Sequence, residues 1–386
     1  MKRKLRMGMV GGGPGAFIGA VHRTAARLDG KIELVCGAFS SSAEKSKAAG
    51  RELFLPDERV YGSFQEMIEA EASLPAGERM DFVSIVTPNH MHLPVALAAL
   101  ERGFHVICDK PMTLNLEDAV TLRDKVNEAG LVFCLTHNYT GYPMVKQARE
   151  MVQAGQLGEI RKIVSEYPQG WLARRIEDDN HKQAAWRTDP KISGVSCCMG
   201  DIGSHAENLA AYITGLKITE LCADLNTFVP GRRLDDDGSV LVRFDNGARG
   251  IIYASQISAG DDNGLRIRVY GTKGAIEWLQ KDPNNLIFKS NDAPVRIYNT
   301  GWAGAGAAAA YNTRIPAGHP EGFLEAFANL YRNFAAVVAA RIDGVEPAPA
   351  ACDFPTVEDG VRGMAFIETV VKSAASKEKW VKFPQI

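Results

Sequence analysis

Leu5-Arg6-Met7-Gly8-Met9-Val10 runs straight into Gly11-Gly12-Gly13-Pro14-Gly15-Ala16-Phe17-Ile18-Gly19. A short apolar run, a cluster of glycines and an amphipathic stretch over 17–28 read as strand, tight turn and helix. Gly11 and Gly13 supply a G-x-G pattern, in which glycine lets the backbone turn and approach a ligand, while the helix start offers N–H groups and partial positive charge to an anion. The spacing is loose, because the full G-x-G-x-x-G pattern would place its third glycine at Ala16. A tight turn that binds nothing has the same local chemistry, so the reading depends on what surrounds it. Gly11, Gly13, Pro14, Gly15, Ala16 and Phe17 are the candidate cofactor residues of this turn.

The strand–helix alternation continues. Apolar runs at 32–38, 82–86, 105–108 and 131–135 are separated by helical patterns at 43–53, 64–72, 93–102 and 116–129, with a loop at 74–78. Short, almost wholly apolar strands between amphipathic helices predict a doubly wound parallel sheet of the Rossmann type over residues 1–136. Beyond Thr136 the grammar changes to alternating strands at 160–167, 219–227, 240–244, 248–255, 265–270 and 275–278, with Asp245-Asn246-Gly247 and Gly271-Thr272-Lys273-Gly274 as turns. This predicts a second α/β domain over 137–386 with a large, mostly antiparallel open sheet, and helices at 143–154, 203–214, 321–340 and 356–376. The Gly/Ala-rich stretch 301–310 is expected to be a mobile surface loop.

A chain of 386 residues is long enough for two such domains, and 46% hydrophobic with 23% charged residues is ordinary globular composition. With 44 Lys and Arg against 46 Asp and Glu, no net field favours nucleic acid or an anionic membrane, so small molecules are the expected partners. The seven cysteines are scattered, without metal-ligand spacing, and predict a reduced, cytoplasmic protein with no metal centre. Cys197-Cys198 reads as small-residue packing. The basic start followed by an apolar stretch superficially resembles a signal peptide, but its glycines would break the required helix, and no run reaches membrane-span length.

After the strand at 32–38, where a dinucleotide site commonly has an acid for the ribose, stands Phe39-Ser40-Ser41-Ser42. Ser40 and Ser41 can bond a ribose hydroxyl or a 2′-phosphate, with no arginine in the turn and only Lys45 and Lys47 nearby, so NAD is expected and NADP stays open. Ser42 also suits a helix N-cap. Thr87-Pro88-Asn89 with His92, and Asp109-Lys110-Pro111, end two further strands at the sheet edge where ligands bind. Lys110 precedes proline and so has restricted backbone freedom. Farther on, Gly200-Asp201-Ile202-Gly203-Ser204-His205 places a carboxylate and an imidazole on one helix face if the helix begins near Asp201.

Taken in order, the glycine turn, Thr87-Pro88-Asn89 with His92, Asp109-Lys110-Pro111, Gly200-Asp201-x-x-Ser204-His205 and Tyr270-Gly271-Thr272-Lys273-Gly274-Ala275-Ile276 resemble the Gfo/Idh/MocA oxidoreductases across nearly the whole chain. Asp109 replaces the family's usual glutamate, and the acidic ribose residue is absent. The resemblance implies NAD(P) bound by the first domain at Thr87, Pro88, Asn89, His92, Asp109 and Lys110 besides the turn and the serines. It further implies Lys110, Asp201 and His205 as the catalytic trio, and a homo-oligomer, dimer or tetramer, formed through the C-terminal sheet. Oxidising a secondary alcohol sends hydride to nicotinamide and needs a proton acceptor, for which His205 or a lysine of lowered pKa is suited.

On the substrate side, Trp171, Arg174, Lys182, Trp186 and Arg187 offer aromatic faces and cations for a sugar ring or an anionic substituent. Neighbouring Glu177, Asp178, Asp179 and Asp189 could instead satisfy those cations in a solvated loop. Asn138 and Tyr139 leave the strand at 131–135 and are further substrate candidates. The leading expectation is an NAD(P)-dependent dehydrogenase of a sugar, sugar acid or cyclic polyol. Alternatives are a redox-neutral glycosidase working by transient C3 oxidation, elimination and water addition, for instance on a sulfoquinovoside, or a catalytically idle nucleotide sensor.

Overall fold

The computed structural model describes residues 3–179 and 181–386. In chain order the first elements are β1 (Leu5–Gly11), α1 (Phe17–Leu28), β2 (Ile32–Ala38), α2 (Ala43–Glu52), α3 (Phe64–Ser73), β3 (Phe82–Val86), α4 (His92–Glu101), β4 (His105–Cys108), α5 (Leu116–Ala129) and β5 (Phe133–Leu135). There follow α6 (Pro143–Gln153), β6 (Ile160–Pro168), α7 (Lys182–Arg187), α8 (Pro190–Ser193), α9 (Ser204–Thr214), β7 (Ile218–Asn226), β8 (Asp237–Phe244), β9 (Arg249–Ser255), β10 (Arg266–Gly271) and β11 (Ala275–Leu279). The last are β12 (Asn285–Lys289), β13 (Arg296–Asn299), α10 (Ala307–Tyr311), α11 (Phe323–Ile342), α12 (Val357–Ala375) and β14 (Val381–Lys382).

Contacts divide the chain into two compact units, the first made of Met1–Thr113, Glu117–Asn138 and Leu324–Gly360, the second of the remaining segments. The first unit's early part ends at Asn138, close to the split expected at 136/137. Leu324–Gly360, however, belongs by its contacts to the first unit, although sequence order had assigned it to the second domain.

In the first unit the strands are all parallel in the order β2-β1-β3-β4-β5. Every residue of β3 is buried, as its unbroken apolar pattern requires. Its single polar residue, Ser84, places Oγ 2.8 Å from the Tyr331 hydroxyl of α11, and that hydroxyl lies 2.7 Å from His22 Nδ1 of α1. Phe334 meets Phe82 edge-on at 5.0 Å. The apolar spacing Phe327, Leu330, Tyr331, Phe334, Val338 is a helical stripe, and all five are buried. Each such side chain contributes roughly 1.5–3 kcal/mol by leaving water.

The second unit carries a nine-stranded sheet in the order β13-β12-β11-β10-β6-β9-β8-β7-β14. All its pairs are antiparallel except β6 with β9. β8 and β9 alternate buried and accessible residues, so one face is packed and the other open. Helices α6 and α9 contact each other, and α9 contacts β6. The open face includes exposed Leu241 and Tyr270 beside half-buried Ile251 and Tyr253. Gly247 closes the β8–β9 turn at φ 90°, with Asn246 Oδ1 accepting from the Ala248 N–H at 2.9 Å. The sequence reading missed β12, β13 and β14.

The stretch 301–310, expected to be a mobile loop, contains the start of α10 instead. Alanines favour helix, and Glu150 of α6 accepts from the Ala308 N–H at 2.9 Å while Gln147 accepts from the Gly306 N–H at 2.7 Å. Ala309 is fully buried.

Candidate functional site

In the first unit the strand order reverses between β1 and β3, and the glycine turn leaves β1 at that switch point. Gly11 pairs in register with Val86 and has φ 85°. A Cβ there would stand 2.6 Å from the Val86 carbonyl oxygen and 2.9 Å from Thr87 Cγ2, so only glycine lets the two strand ends come this close. The tight contact between α1 and β1 comes from Gly19, where a Cβ would lie 2.4 Å from Gly12 Cα. Position 16, where the motif's spacing had placed it, does not make that contact: Ala16 is the N-cap residue of α1. Gly13 faces the end of β2, a Cβ there lying 2.5 Å from the Phe39 carbonyl oxygen.

The start of α1 has no side-chain cap and no acidic residue in its first turn, whereas α2 and α3 are capped by Ser42 and Ser63. Pro14, Gly15 and Phe17 around it are exposed. A helix start with no side-chain cap beside a glycine turn suits a pyrophosphate. At the end of β2 the Ser40 hydroxyl accepts from the Ser42 N–H at 3.2 Å, Ser41 is exposed, and the Ser42 hydroxyl accepts from the Lys45 N–H at 3.4 Å. Lys47 donates to the Asp57 carbonyl.

Beyond β3, Thr87 Oγ1 is buried without a hydrogen-bond partner, as is Asn138 Nδ2 beyond β5. Such orphans are the donors and acceptors that a bound ligand satisfies. His92, a candidate cofactor residue, sets Nδ1 2.8 Å from the Pro111 carbonyl and Nε2 3.0 Å from that of Thr87, and a neutral ring donates to one of the two. Burial lowers its pKa. Asp109 likewise braces the strand ends, Oδ1 accepting from the Lys110 N–H at 2.9 Å and Thr136 Oγ1 at 2.8 Å. Asn89 is buried, and the Lys110–Pro111 peptide is cis.

The second unit holds the other cluster. Met199–Gly203 forms a π-helical turn, with the Ser204 N–H donating to the Met199 carbonyl, and α9 starts only at Ser204. Helix α9 thus begins within a residue of the expected 203, and Asp201 lies on the wider turn before it, a feature common at functional sites. A Cβ on Gly203 would lie 2.7 Å from Met199 Cε, which explains the small residue. His205, buried on the first turn of α9, meets the Tyr139 ring edge-on at 4.8 Å and the Tyr167 ring at 6.2 Å.

Tyr139 and Tyr167 share a 2.5 Å hydroxyl contact, and Tyr167 donates to Asn263 Oδ1 at 3.2 Å. Because Tyr167 spends its proton on Asn263, Tyr139 is the donor between the two phenols. Gln169 Nε2 also donates to Asn263, and Trp171 Nε1 donates to Gln169 Oε1 at 2.9 Å. Arg187 Nε donates to Asp201 Oδ2 at 3.2 Å, while its guanidinium lies 4.2 Å from the Trp186 ring and 5.9 Å from that of Trp171.

The structure therefore gathers Trp171, Trp186 and Arg187 with Asp201. Arg174 and Lys182 are exposed, and the adjacent Arg175 pairs with Asp178 at 2.7 Å. Sequence reasoning missed Gln256, Gln183 and Asn263. Gln256 follows β9 in a mostly antiparallel sheet, where the carboxyl-edge rule of parallel sheets gives no pointer to it. Among the described residues, no cluster of His, Cys, Asp and Glu suits a metal ion, and no helix is long and apolar enough to cross a membrane.

A parallel sheet with a ligand-ready glycine turn, and a second unit carrying an imidazole–carboxylate cluster, define a nucleotide-dependent oxidoreductase. Residues 5–139 match the NAD-binding Rossmann fold of the oxidoreductase family, and residues 145–277 match the GFO/IDH/MocA C-terminal domain. The chain belongs to the Gfo/Idh/MocA family, and its first unit is an NAD-binding Rossmann domain. It is 34% identical to the uncharacterized oxidoreductase YfiI of Bacillus subtilis over 99% of this chain and 98% of the relative.

An inositol dehydrogenase homologue from Azotobacter vinelandii complexed with NAD+ superposes with a TM-score of 0.94 at 34% identity, covering 99% of this chain and 98% of that one. The same homologue with NADH and myo-inositol gives 0.91 at 33%, with the same coverage. Levoglucosan dehydrogenase of Pseudarthrobacter phenanthrenivorans is 27% identical over 92% of this chain and 98% of its own.

Proposed function

We propose that this oxidoreductase moves hydride between a secondary hydroxyl of a sugar, sugar acid or cyclic polyol and the nicotinamide of NAD. The observation that carries the reading is the cluster of the second unit, in which His205 stands against Tyr139 and Tyr167 while Asp201 is held by Arg187. Trp171 and Trp186 lie beside it, and indole faces suit the C–H face of a sugar ring. The relatives named for inositol and levoglucosan act on polyhydroxylated rings, which supports the same substrate class.

Bound NAD supplies the hydride acceptor. Gly11, Gly13 and the start of α1 would hold its pyrophosphate, and Thr87 Oγ1 would offer it an unspent hydrogen-bonding group. His205 accepts the hydroxyl proton as the carbon loses hydride. Lys110 hydrogen-bonds the reacting oxygen and stabilises developing alkoxide charge, and Asp201 orients the acid–base group. Asn138 and Tyr139 contact the substrate's remaining hydroxyls.

The open face of the nine-stranded sheet forms the interface of a homo-oligomer, and the free thiols suit a reducing cytoplasm. The test is NADH formation across myo-inositol, levoglucosan, glucose and glucuronate. Lys110→Met and His205→Ala should each lower kcat roughly a hundredfold or more, with NAD affinity nearly unchanged in His205→Ala. Wild-type turnover in either variant removes that residue from the chemistry. Aglycone release from a glycoside without net NADH would establish the glycosidase reaction instead.

A further inference from the structure

Gln256 follows β9 and is wholly buried. Its Nε2 donates to Asp201 Oδ2 at 3.0 Å, and its Oε1 accepts from the Cys197 thiol at 3.3 Å. The two contacts fix which way round the amide lies. Turned over, it would set Oε1 against the carboxylate oxygen and the NH2 group against the S–H. Burial holds the Cys197 pKa well above its ordinary range, so the thiol keeps its proton and donates. The Asp201 N–H in turn donates to the Cys197 carbonyl at 2.8 Å. Cys197 therefore holds Asp201 twice, through main chain directly and through its thiol by way of Gln256.

Other groups complete the surroundings. Arg187 reaches the same Oδ2 from α7. Asp235, on the segment before β8, accepts from Ser196 Oγ and from the Cys197 and Met199 N–H groups. Burial raises the pKa of Tyr139 ahead of α6, Tyr167 on β6, and Cys197 and Cys198 just before the Asp201 turn, and the Asp201 carboxylate adds to each in the same direction. The Arg187 and Arg232 guanidinium groups act on Cys197 in the opposite sense. His205 follows Asp201 on α9.

We propose that Gln256, aligned by the Cys197 thiol, is a positioning residue of the reaction that keeps Asp201 aimed. The inference rests on Asp201 being a catalytic group. Gln256 donates only one hydrogen bond to a carboxylate already paired with Arg187, so its contribution is orientation and proton placement. The cysteine acts as a weak, permanently protonated donor, for which burial is the requirement.

Gln256→Glu conserves shape but sets a second carboxylate against Asp201, and two such groups share a proton. The required ionised Asp201 is then lost at higher pH, so the acid limb of kcat/KM moves up by about one pH unit or more. Cys197→Ala lowers kcat about fivefold, the scale of one hydrogen bond, and Cys197→Ser, which keeps a donor, recovers most of it. In infrared difference spectra against Cys197→Ala, Gln256→Leu shifts the Cys197 S–H stretch, a readout needing neither substrate nor turnover.

Asp201→Asn separates the two levels. Wild-type turnover in that variant defeats the reading of Asp201 itself. Collapse of turnover there, with an unmoved pH profile in Gln256→Glu and an unshifted S–H band in Gln256→Leu, overturns the positioning role alone.

Discussion

Arg187 Nε lies 3.2 Å from Asp201 Oδ2, and the same guanidinium donates to Gln183 Oε1 at 2.7 Å. Both members of the ion pair are largely buried. Losing one partner of such a pair leaves a charge uncompensated, which costs more than an exposed pair contributes. Arg187→Met should therefore lower kcat/KM about tenfold or more for neutral and anionic sugars alike. Comparing glucose with glucuronate checks this. A loss confined to glucuronate would make Arg187 an anion receptor instead.

The cofactor turn gives a second expectation. Because a Cβ on Gly13 meets the Phe39 carbonyl oxygen at 2.5 Å, Gly13→Ala should lower the melting temperature and weaken NAD binding together, the latter about tenfold. Calorimetric titration and a melt on the same sample measure both. Reduced melting with unchanged NAD affinity would detach this turn from the cofactor.

Cofactor choice turns on the end of β2. Exposed Ser41 carries no charge, and Lys47 is turned to a backbone carbonyl. Wild-type protein should favour NAD, and Ser41→Arg should move the kcat/KM ratio about tenfold towards NADP by pairing with a 2′-phosphate. A wild-type preference for NADP would contradict the first statement.

Acid should weaken the first unit. Burial lowers the His22 pKa from 6.5 to about 4, so the unfolded chain binds the proton more readily than the folded one. The stability tied to neutral His22 is fully present above pH ~6.5 and is lost as pH falls towards 4, by at most about 3 kcal/mol. His105, also lowered to about 4, adds in the same direction. His22→Phe should flatten the calorimetric decline between those pH values. An equally steep decline would exclude His22 as a source.

On the open sheet face, Leu241 is 45% exposed on interior strand β8. If that face joins subunits, wild-type protein should elute as a dimer or tetramer and Leu241→Glu should shift its light-scattering mass towards the monomer. A monomeric wild type would remove the interface.

The parallel sheet was legible because β3, buried on both faces, has no polar side and can be read from hydrophobicity alone. Strands β8 and β9 were legible through alternation around Asp245-Asn246-Gly247. Strand β13 was not, because Arg296, Ile297 and Asn299 are exposed at an edge and leave no core pattern. Helix α10 was hidden because its stabilising partners, Gln147 and Glu150, lie far back in the chain. At the site, Asp201 and His205 carried their own signal in a short motif. Gln256 had none, since its function lies in what the fold sets beside it. Cys197, read as packing, also serves as a hydrogen-bond donor.

The return of Leu324–Gly360 to the first unit orders events during synthesis. As the chain leaves the ribosome, β1 to β5 emerge early, yet Tyr331 and Phe334, which meet Ser84, His22 and Phe82, follow nearly two hundred residues later. Until then the nascent sheet keeps an apolar face uncovered, and the second unit's sheet is made in the interval. A fragment ending at residue 136 would retain that face permanently, and chaperone engagement would be expected there first.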